Sequence, residues 1–288
     1  MEKKIYDLVV IGAGPAGLSA AVTARARAKE VLILGSQRMS IKLEKAPHID
    51  NYLGIVGVTG KELAEKFLEH CQRMKVDFAW EKVSNIYQLK EGFQVMTEKN
   101  NIHHGRTILI TTGVTTTQAL PKEKEMVGRG VSYCATCDGM FYRDKKVAVI
   151  GFTAEGEEEA NFLADICSQV YYIHTYRGPK QLKDNIEVIS ERPKAIVGED
   201  KVTGVELGSQ VLEVEGVFIA REAVPVEELL PGLIIEDKFI KVDREMATNI
   251  PGVFAAGDCT GKPYQISKSV GEGQVAALSA AKFIESQV

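Results

Sequence analysis

The sequence predicts an α/β fold in which one strand–turn–helix–strand unit is used twice. Three observations carry this. Ile5 to Ile11 is a short, nearly continuous apolar run, the pattern of a strand buried on both faces of a parallel sheet, and a glycine turn and an alanine-rich stretch to about Ala28 follow at once. Lys145 to Ile150 is a second such run, followed by Gly151 to Gly156, a helical stretch to about Cys167 and a strand from Val170 to His174. Gly252 to Asp258 again reads as a strand entering a turn, ahead of a glycine- and alanine-rich helix from Ile266 to Ile284.

The first turn, Gly12-Ala13-Gly14-Pro15-Ala16-Gly17, is G-x-G-x-x-G in the context that gives it meaning, between a strand and a helix. Gly12 permits the turn, Gly14 lets backbone approach a pyrophosphate, and Gly17 lets the helix pack on the strand. The helix N-terminus adds donors and partial positive charge, so the turn predicts a bound dinucleotide. The second strand, Val31 to Leu34, ends at Gly35-Ser36 without the acidic residue that usually holds a ribose. Lys61 to Met74 carries apolar residues at helical spacing, and Cys71 falls on that stripe as a core residue. Strands are expected from Val83 to Ile110, with Thr111-Thr112-Gly113 closing the last, and Pro121 to Gly130 reads as a charged linker. Further strands are expected at Val188-Ile189, Ala195 to Val197, Val202 to Leu207 and Val217 to Ala220.

Composition narrows the classes. The chain has 288 residues, 45% hydrophobic and 26% charged, which suits two globular domains. A formal net charge of −4 argues against a general nucleic-acid binder. No apolar run approaches the roughly 18 residues of a membrane span, and Met1-Glu2-Lys3-Lys4 runs straight into a strand, so no leader is expected. Five cysteines, two of them at redox spacing, suit a reducing cytoplasm.

Those two are Cys134 and Cys137, in Cys-Ala-Thr-Cys-Asp. Two cysteines separated by two residues can close a small disulfide ring or supply half of a zinc site. Zinc needs a second ligand pair, but Cys71, Cys167 and Cys259 are single and His103-His104 is not spaced like a finger. A redox pair is the expectation and no metal is expected, with Asp138 as a candidate proton donor to the thiolates.

Four stretches together resemble the low-molecular-weight flavoprotein thioredoxin reductases. They are Gly12 to Gly17, Gly128 to Tyr142 around the cysteines, Pro251 to Asp258, and Ser269 to Ala277. The resemblance implies two Rossmann-like three-layer domains, the second inserted into the first. FAD would be held by residues 1 to 115 and 241 to 288, and residues 116 to 240 would form the inserted redox domain. It further implies that Gly12, Gly14, Pro15, Ala16, Gly17, Asn51, Thr112, Gly113, Gly257, Asp258, Gln265 and Ile266 line the FAD site. Asp258 would take the ribityl–phosphate region, and Asn51 and Gln265 would lie near the flavin. Cys137 would face the flavin, Cys134 would attack the disulfide of thioredoxin, and Asp138 would serve as acid and base. The relatives are homodimers, so a homodimer is expected.

The departures from that family fall on one function. Its second turn is glycine-rich and cradles NADPH; here Phe152 and Thr153 fill the second and third glycine positions, and Glu155, Glu157, Glu158 and Glu159 load the helix start with carboxylates that repel phosphate. The family's arginine clamp for the 2′-phosphate is replaced by His174-Thr175-Tyr176 and Lys180, and a further glycine site by Arg221-Glu222. Tyr264 stands where an Arg usually precedes Gln265. The chain therefore most resembles the ferredoxin-dependent branch of flavin thioredoxin reductases, with ferredoxin as donor and thioredoxin as acceptor. A basic landing patch for ferredoxin is expected among Arg143, Lys145, Lys146, Arg177, Lys180 and Lys183. The alternatives are an NADPH-dependent reductase with a divergent nucleotide site, a flavin dithiol oxidase, and a non-enzymatic FAD-holding redox sensor.

Overall fold

The computed structural model describes residues 4–35, 40–44, 46–114, 119–154, 156–221 and 226–287. Ser36, Glu155 and Glu222, named above, lie outside these. The chain divides into two units, Met1–Val114 with Pro225–Val288, and Thr115–Val224.

The first unit is built on a seven-stranded sheet. The apolar strand Ile5–Ile11 lies at its centre, because a strand with no polar face must be covered on both sides. Parallel to it run Val31–Leu34 on one flank and Ile102–Ile110 on the other, with Asp77–Ala79 beyond Val31–Leu34. The long strand Ile102–Ile110 has two neighbours on its far side. Its start pairs antiparallel with Phe93–Thr97, which continues to Val83–Gln88. Its end pairs parallel with Val253–Ala255, in register Val253 to Ile108. Strands contributed from both ends of the chain thus meet on one ladder.

Two helices from those same ends pack together: Pro15–Ala26 and Ile266–Glu285. Their approach is set by small residues. A Cβ at Gly273 would stand 2.1 Å from the Ala16 carbonyl oxygen, so only glycine fits there. Ala16, Ala20, Ala24, Ala276, Ala277 and Ala280 fill the seam with Leu8, Val10 and Ile33 of the sheet. The amphipathic helix expected over 61–74 forms over Gly60–Arg73 and buries Leu63, Ala64 and Cys71. Thr59 starts it with a capping box: Glu62 N–H donates to Thr59 Oγ1 and Thr59 N–H donates to Glu62 Oε2. Thr59→Ala is expected to destabilise the first unit by about 1 kcal/mol, read as a lower urea midpoint with unchanged slope.

The second unit repeats the arrangement. Its parallel sheet runs in the order Ile186–Ile189, Gln169–His174, Lys146–Gly151, Gly216–Ala220, Val131–Ser132. Helix Gly156–Leu163 connects Lys146–Gly151 to Gln169–His174, as the first helix does in the first unit. A three-stranded antiparallel sheet, Ala195–Gly198, Val202–Glu206 and Val211–Glu213, precedes Gly216–Ala220. Both units are Rossmann-like, as the duplicated sequence pattern implies.

Two details differ from the sequence expectations. The first unit resumes at Pro225, ahead of the expected 241. Leu229 and Leu230 are buried, and helix Val226–Leu229 packs on strand Val83–Gln88, so apolar contact draws this segment into the first unit. The stretch 121–130 is not a linker. It forms a turn at Lys124–Met126, and its Glu123 is 0% exposed. Of the charges that suggested a linker, Glu123 is buried and paired with Arg221 inside the second unit, whereas Lys122, Lys124, Glu125 and Arg129 are exposed.

Candidate active site

The turn after Ile5–Ile11 has the shape its sequence predicts. Gly12 has φ +117°, and a Cβ there would lie 2.4 Å from the Thr111 carbonyl oxygen. A Cβ at Gly17 would lie 2.1 Å from the Gly12 carbonyl oxygen. Gly14 is different: a Cβ would meet nothing nearer than Ser40 Cβ at 4.0 Å, so its glycine keeps space open outside the backbone. Helix Pro15–Ala26 starts there with no side chain capping its first turn, leaving Ala16 and Gly17 N–H without a capping side chain. Thr111 Oγ1 donates across the turn to the Ile11 and Gly12 carbonyls, a support the sequence did not single out.

Thr112, Gly113, Gly257 and Asp258 follow strands that run parallel to Ile5–Ile11 or to its neighbour, so they lie at the same end of the sheet as this turn. Gly113 has φ +71°, and Thr112 Oγ1 is enclosed without a hydrogen-bond partner among the described residues. Asn51 Nδ2 donates to Gln265 Oε1 at 3.1 Å, which joins two residues far apart in sequence. Gln265 starts helix Ile266–Glu285, again with no side-chain cap. Asp258 follows Gly257, whose φ is +89°. The 257–261 turn is fixed by two residues that sequence reasoning missed. Glu272 accepts from Gly257 N–H and Thr260 Oγ1, and Lys268 Nζ donates to the Gly257 and Gly261 carbonyls and pairs with Glu272 at 3.0 Å. Lys42, also missed, reaches Asp258 at 2.5 Å and lies 4.5 Å from the Tyr264 ring centre. A lysine in the short helix Ile41–Glu44, with no motif around it, gives no local signal of such a partner.

In the second unit Cys134 and Cys137 form a disulfide. Cys134 is the N-cap of the short helix Ala135–Asp138, and Cys137 N–H donates to its Sγ at 3.2 Å. Cys134 is 8% exposed; Cys137 and Asp138 are half-buried. The Ser132 hydroxyl accepts from Cys134 N–H and donates to the Cys134 carbonyl. The remaining cysteines are thiols, and burial pushes them up, Cys71 and Cys259 to about 12 and Cys167 to about 11. Cys71 and Cys259 are buried, and Cys167 is half-buried. Among the described residues no cluster of three or more His, Cys, Asp or Glu side chains is arranged to hold a metal.

The second turn of this unit is filled by its own side chains. Arg221, 4% exposed, stacks over the Phe152 ring at 4.6 Å and forks onto Glu123 at 2.5 and 2.7 Å. On the far side, Tyr172 Oη lies so close to Gly151 and Gly156 that a Cβ at either would stand 2.2 and 3.0 Å from it. Tyr172 bonds Tyr176, and the Tyr176 hydroxyl donates to Glu157 at 2.5 Å. Glu157, 5% exposed, also accepts from Lys180 and Gln181 N–H. Burial opposes its charge, yet the Tyr176 hydroxyl and those two N–H groups hold its carboxyl below the ordinary value. Burial, then the bond to Glu157, raises Tyr176. Glu157 is therefore not a solvated helix-start carboxylate. It takes up donors that an anionic ligand would use.

The pyridine nucleotide-disulphide oxidoreductase family model matches residues 6–273. The chain belongs to this family. It is 31% identical to the thioredoxin reductase of Listeria monocytogenes, over 99% of this chain and 95% of that one. Its structure matches a ferredoxin-flavin thioredoxin reductase from Clostridium acetobutylicum with TM-score 0.92 and 46% identity, covering 99% of this chain and 100% of that one. A thioredoxin reductase from Gloeobacter violaceus matches with TM-score 0.82 and 30% identity, covering 98% and 95%.

This pyridine nucleotide-disulphide oxidoreductase is a thioredoxin reductase homologue and an FAD flavoprotein. The first unit fits that cofactor on its own geometry. Gly14 leaves open the space a pyrophosphate needs, the start of helix Pro15–Ala26 is uncapped, and the Thr112 hydroxyl is enclosed without a partner. In the second turn, by contrast, Arg221 covers the Phe152 ring and the Tyr172 hydroxyl lies against Gly151 and Gly156.

Proposed function

We propose that this disulfide oxidoreductase reduces thioredoxin with electrons from reduced ferredoxin and not from a nicotinamide nucleotide. One observation carries the choice of donor. The second dinucleotide turn is occupied from within, by Arg221 on Phe152 at one side and by Glu157 on Tyr176 and the 180–181 backbone at the other. Each phosphate contact forgone is worth ~1.5–3 kcal/mol, so losing several together removes useful affinity. The likeness to the Clostridium acetobutylicum enzyme supports the same reading.

Gly12, Gly14, Gly17, Thr112 and Asp258 would hold FAD, with Asn51, Gln265 and Ile266 at its other end. Bound FAD supplies a store in which single electrons collect as the pair that a disulfide requires. The protein's own groups do the rest. Reduction of Cys134–Cys137 gives two thiols, and Asp138 moves the proton that turns Cys134 into a thiolate. Cys134 Sγ attacks the partner disulfide, forming a mixed disulfide and releasing one partner thiolate. Cys137 Sγ then attacks Cys134 Sγ, restoring the ring and releasing the second. Cys134 is nearly enclosed in the oxidised form and must be uncovered before it reacts. A homodimer in a reducing cytoplasm is the proposed setting. Of the six basic residues considered for ferredoxin, Lys183 is committed to Asp165 at 2.5 Å, whereas Arg143, Lys146, Arg177 and Lys180 are exposed.

The test is anaerobic reduction of the purified flavoprotein. Reduced ferredoxin should bleach the flavin and sustain thioredoxin turnover, while sub-millimolar NADPH and NADH should do neither. Rapid bleaching by NADPH would overturn the donor assignment and leave the disulfide chemistry standing.

A further inference from the structure

We propose that Glu123, Arg221 and Tyr133 form a positioning device that holds Cys134 in place for disulfide closure. Glu123 has no solvent access, and its carboxylate accepts four hydrogen bonds. Two come from Arg221 Nη1 and Nη2, one from Tyr133 Oη at 2.7 Å, and one from Leu120 N–H at 2.7 Å. The Phe152 ring backs the guanidinium. Tyr133 is therefore anchored through its hydroxyl to a carboxylate that is itself fixed on several sides. It is also the residue immediately before Cys134. On the other side of that residue, Ser132 Oγ bonds both Cys134 N–H and the Cys134 carbonyl. The Cys134 backbone is thus held directly by Ser132 and is joined to the anchored Tyr133.

The ease with which a dithiol closes depends on the effective concentration of one sulfur at the other. Ordering the backbone of one partner raises it. Releasing the Tyr133 anchor lowers it and favours the open dithiol. Nothing in this depends on which donor reduces the pair. The three residues touch no reacting atom and act through the placement of Cys134. The side chains that fill the second dinucleotide turn are thereby tied to the redox centre.

Tyr133→Phe removes only the hydroxyl and keeps the ring. In the holoprotein, equilibrated with glutathione buffers, peptide-level thiol labelling of Cys134 and Cys137 reads the fraction closed. The equilibrium constant for closure should fall about threefold to tenfold, a rise in potential of up to ~30 mV. Glu123→Gln should shift it the same way, and adding Tyr133→Phe to Glu123→Gln should shift it little more, because both act through one anchor. Arg221→Lys should give an intermediate shift and Arg221→Met the full one. kcat for thioredoxin should change with KM unchanged. A Tyr133→Phe protein whose closure constant stays within twofold of the parent overturns the proposal, whether or not its melting temperature drops. If the Glu123 or Arg221 variants fail to fold, the Tyr133→Phe result decides alone.

Discussion

Cys134→Ser is expected to abolish thioredoxin reduction, lowering turnover on the order of 10³-fold or more while leaving the flavin bound. The size follows from the chemistry: a serine hydroxyl neither forms the disulfide nor supplies a thiolate, so the remaining groups have no nucleophile to assist. The paired variant separates the roles of the two sulfurs. Cys137→Ser keeps Cys134 as attacker but removes the resolving thiol, so a covalent complex with thioredoxin should accumulate and run as a reducible band on a non-reducing gel. Cys134→Ser should form none. A covalent complex with Cys134→Ser and none with Cys137→Ser would reverse the assignment. Cys71, Cys167 and Cys259 make clean bystanders, since burial raises all three well above the pH of the assay.

Gly14→Asp should purify almost colourless. A Cβ at this position meets nothing within ordinary contact, so the fold has no steric reason to object. The added carboxylate instead enters the opening that a pyrophosphate needs, at an uncapped helix start that would otherwise attract it. Excluding the diphosphate and adding like charge is expected to cost about 4 kcal/mol of FAD binding, close to a thousandfold in affinity. Flavin content per chain, read by absorbance, should fall accordingly, while circular dichroism stays that of the parent. Gly12→Ala and Gly17→Ala provide the contrast. Their Cβ atoms would collide with backbone at 2.4 and 2.1 Å, so these variants should lose flavin and fold together. Full flavin occupancy in Gly14→Asp would show that the cofactor does not use this turn.

What the sequence revealed, and what it hid, follows from range. The Gly12–Gly17 turn and the Cys134–Cys137 motif were legible because their chemistry is complete within six residues. The parallel cores of the two sheets were legible because Ile5–Ile11 and Lys146–Gly151 read as nearly continuous apolar runs. Glu123 was misread, as a residue of a charged linker, because Arg221, the partner that makes it a buried ion, lies 98 residues away. Lys42 went unnoticed because Asp258 lies 216 residues away. Arg221 and Glu157 were read as departures from a glycine-rich, phosphate-friendly pattern. Only the structure gave their direction: both turn inward, and each takes a partner that a local pattern does not contain.

The fit of Gly273 against Ala16 has a bearing on biosynthesis. The first sheet and the Pro15–Ala26 helix leave the ribosome early, but their seam closes only when Val253–Ala255 and the Ile266–Glu285 helix have been made. The intervening unit, by contrast, is encoded without interruption. It can consolidate, ion pair and cysteines included, while its host still waits for its final strand and helix. Nascent chains halted before residue 253 should therefore carry a protease-resistant middle and a digestible front.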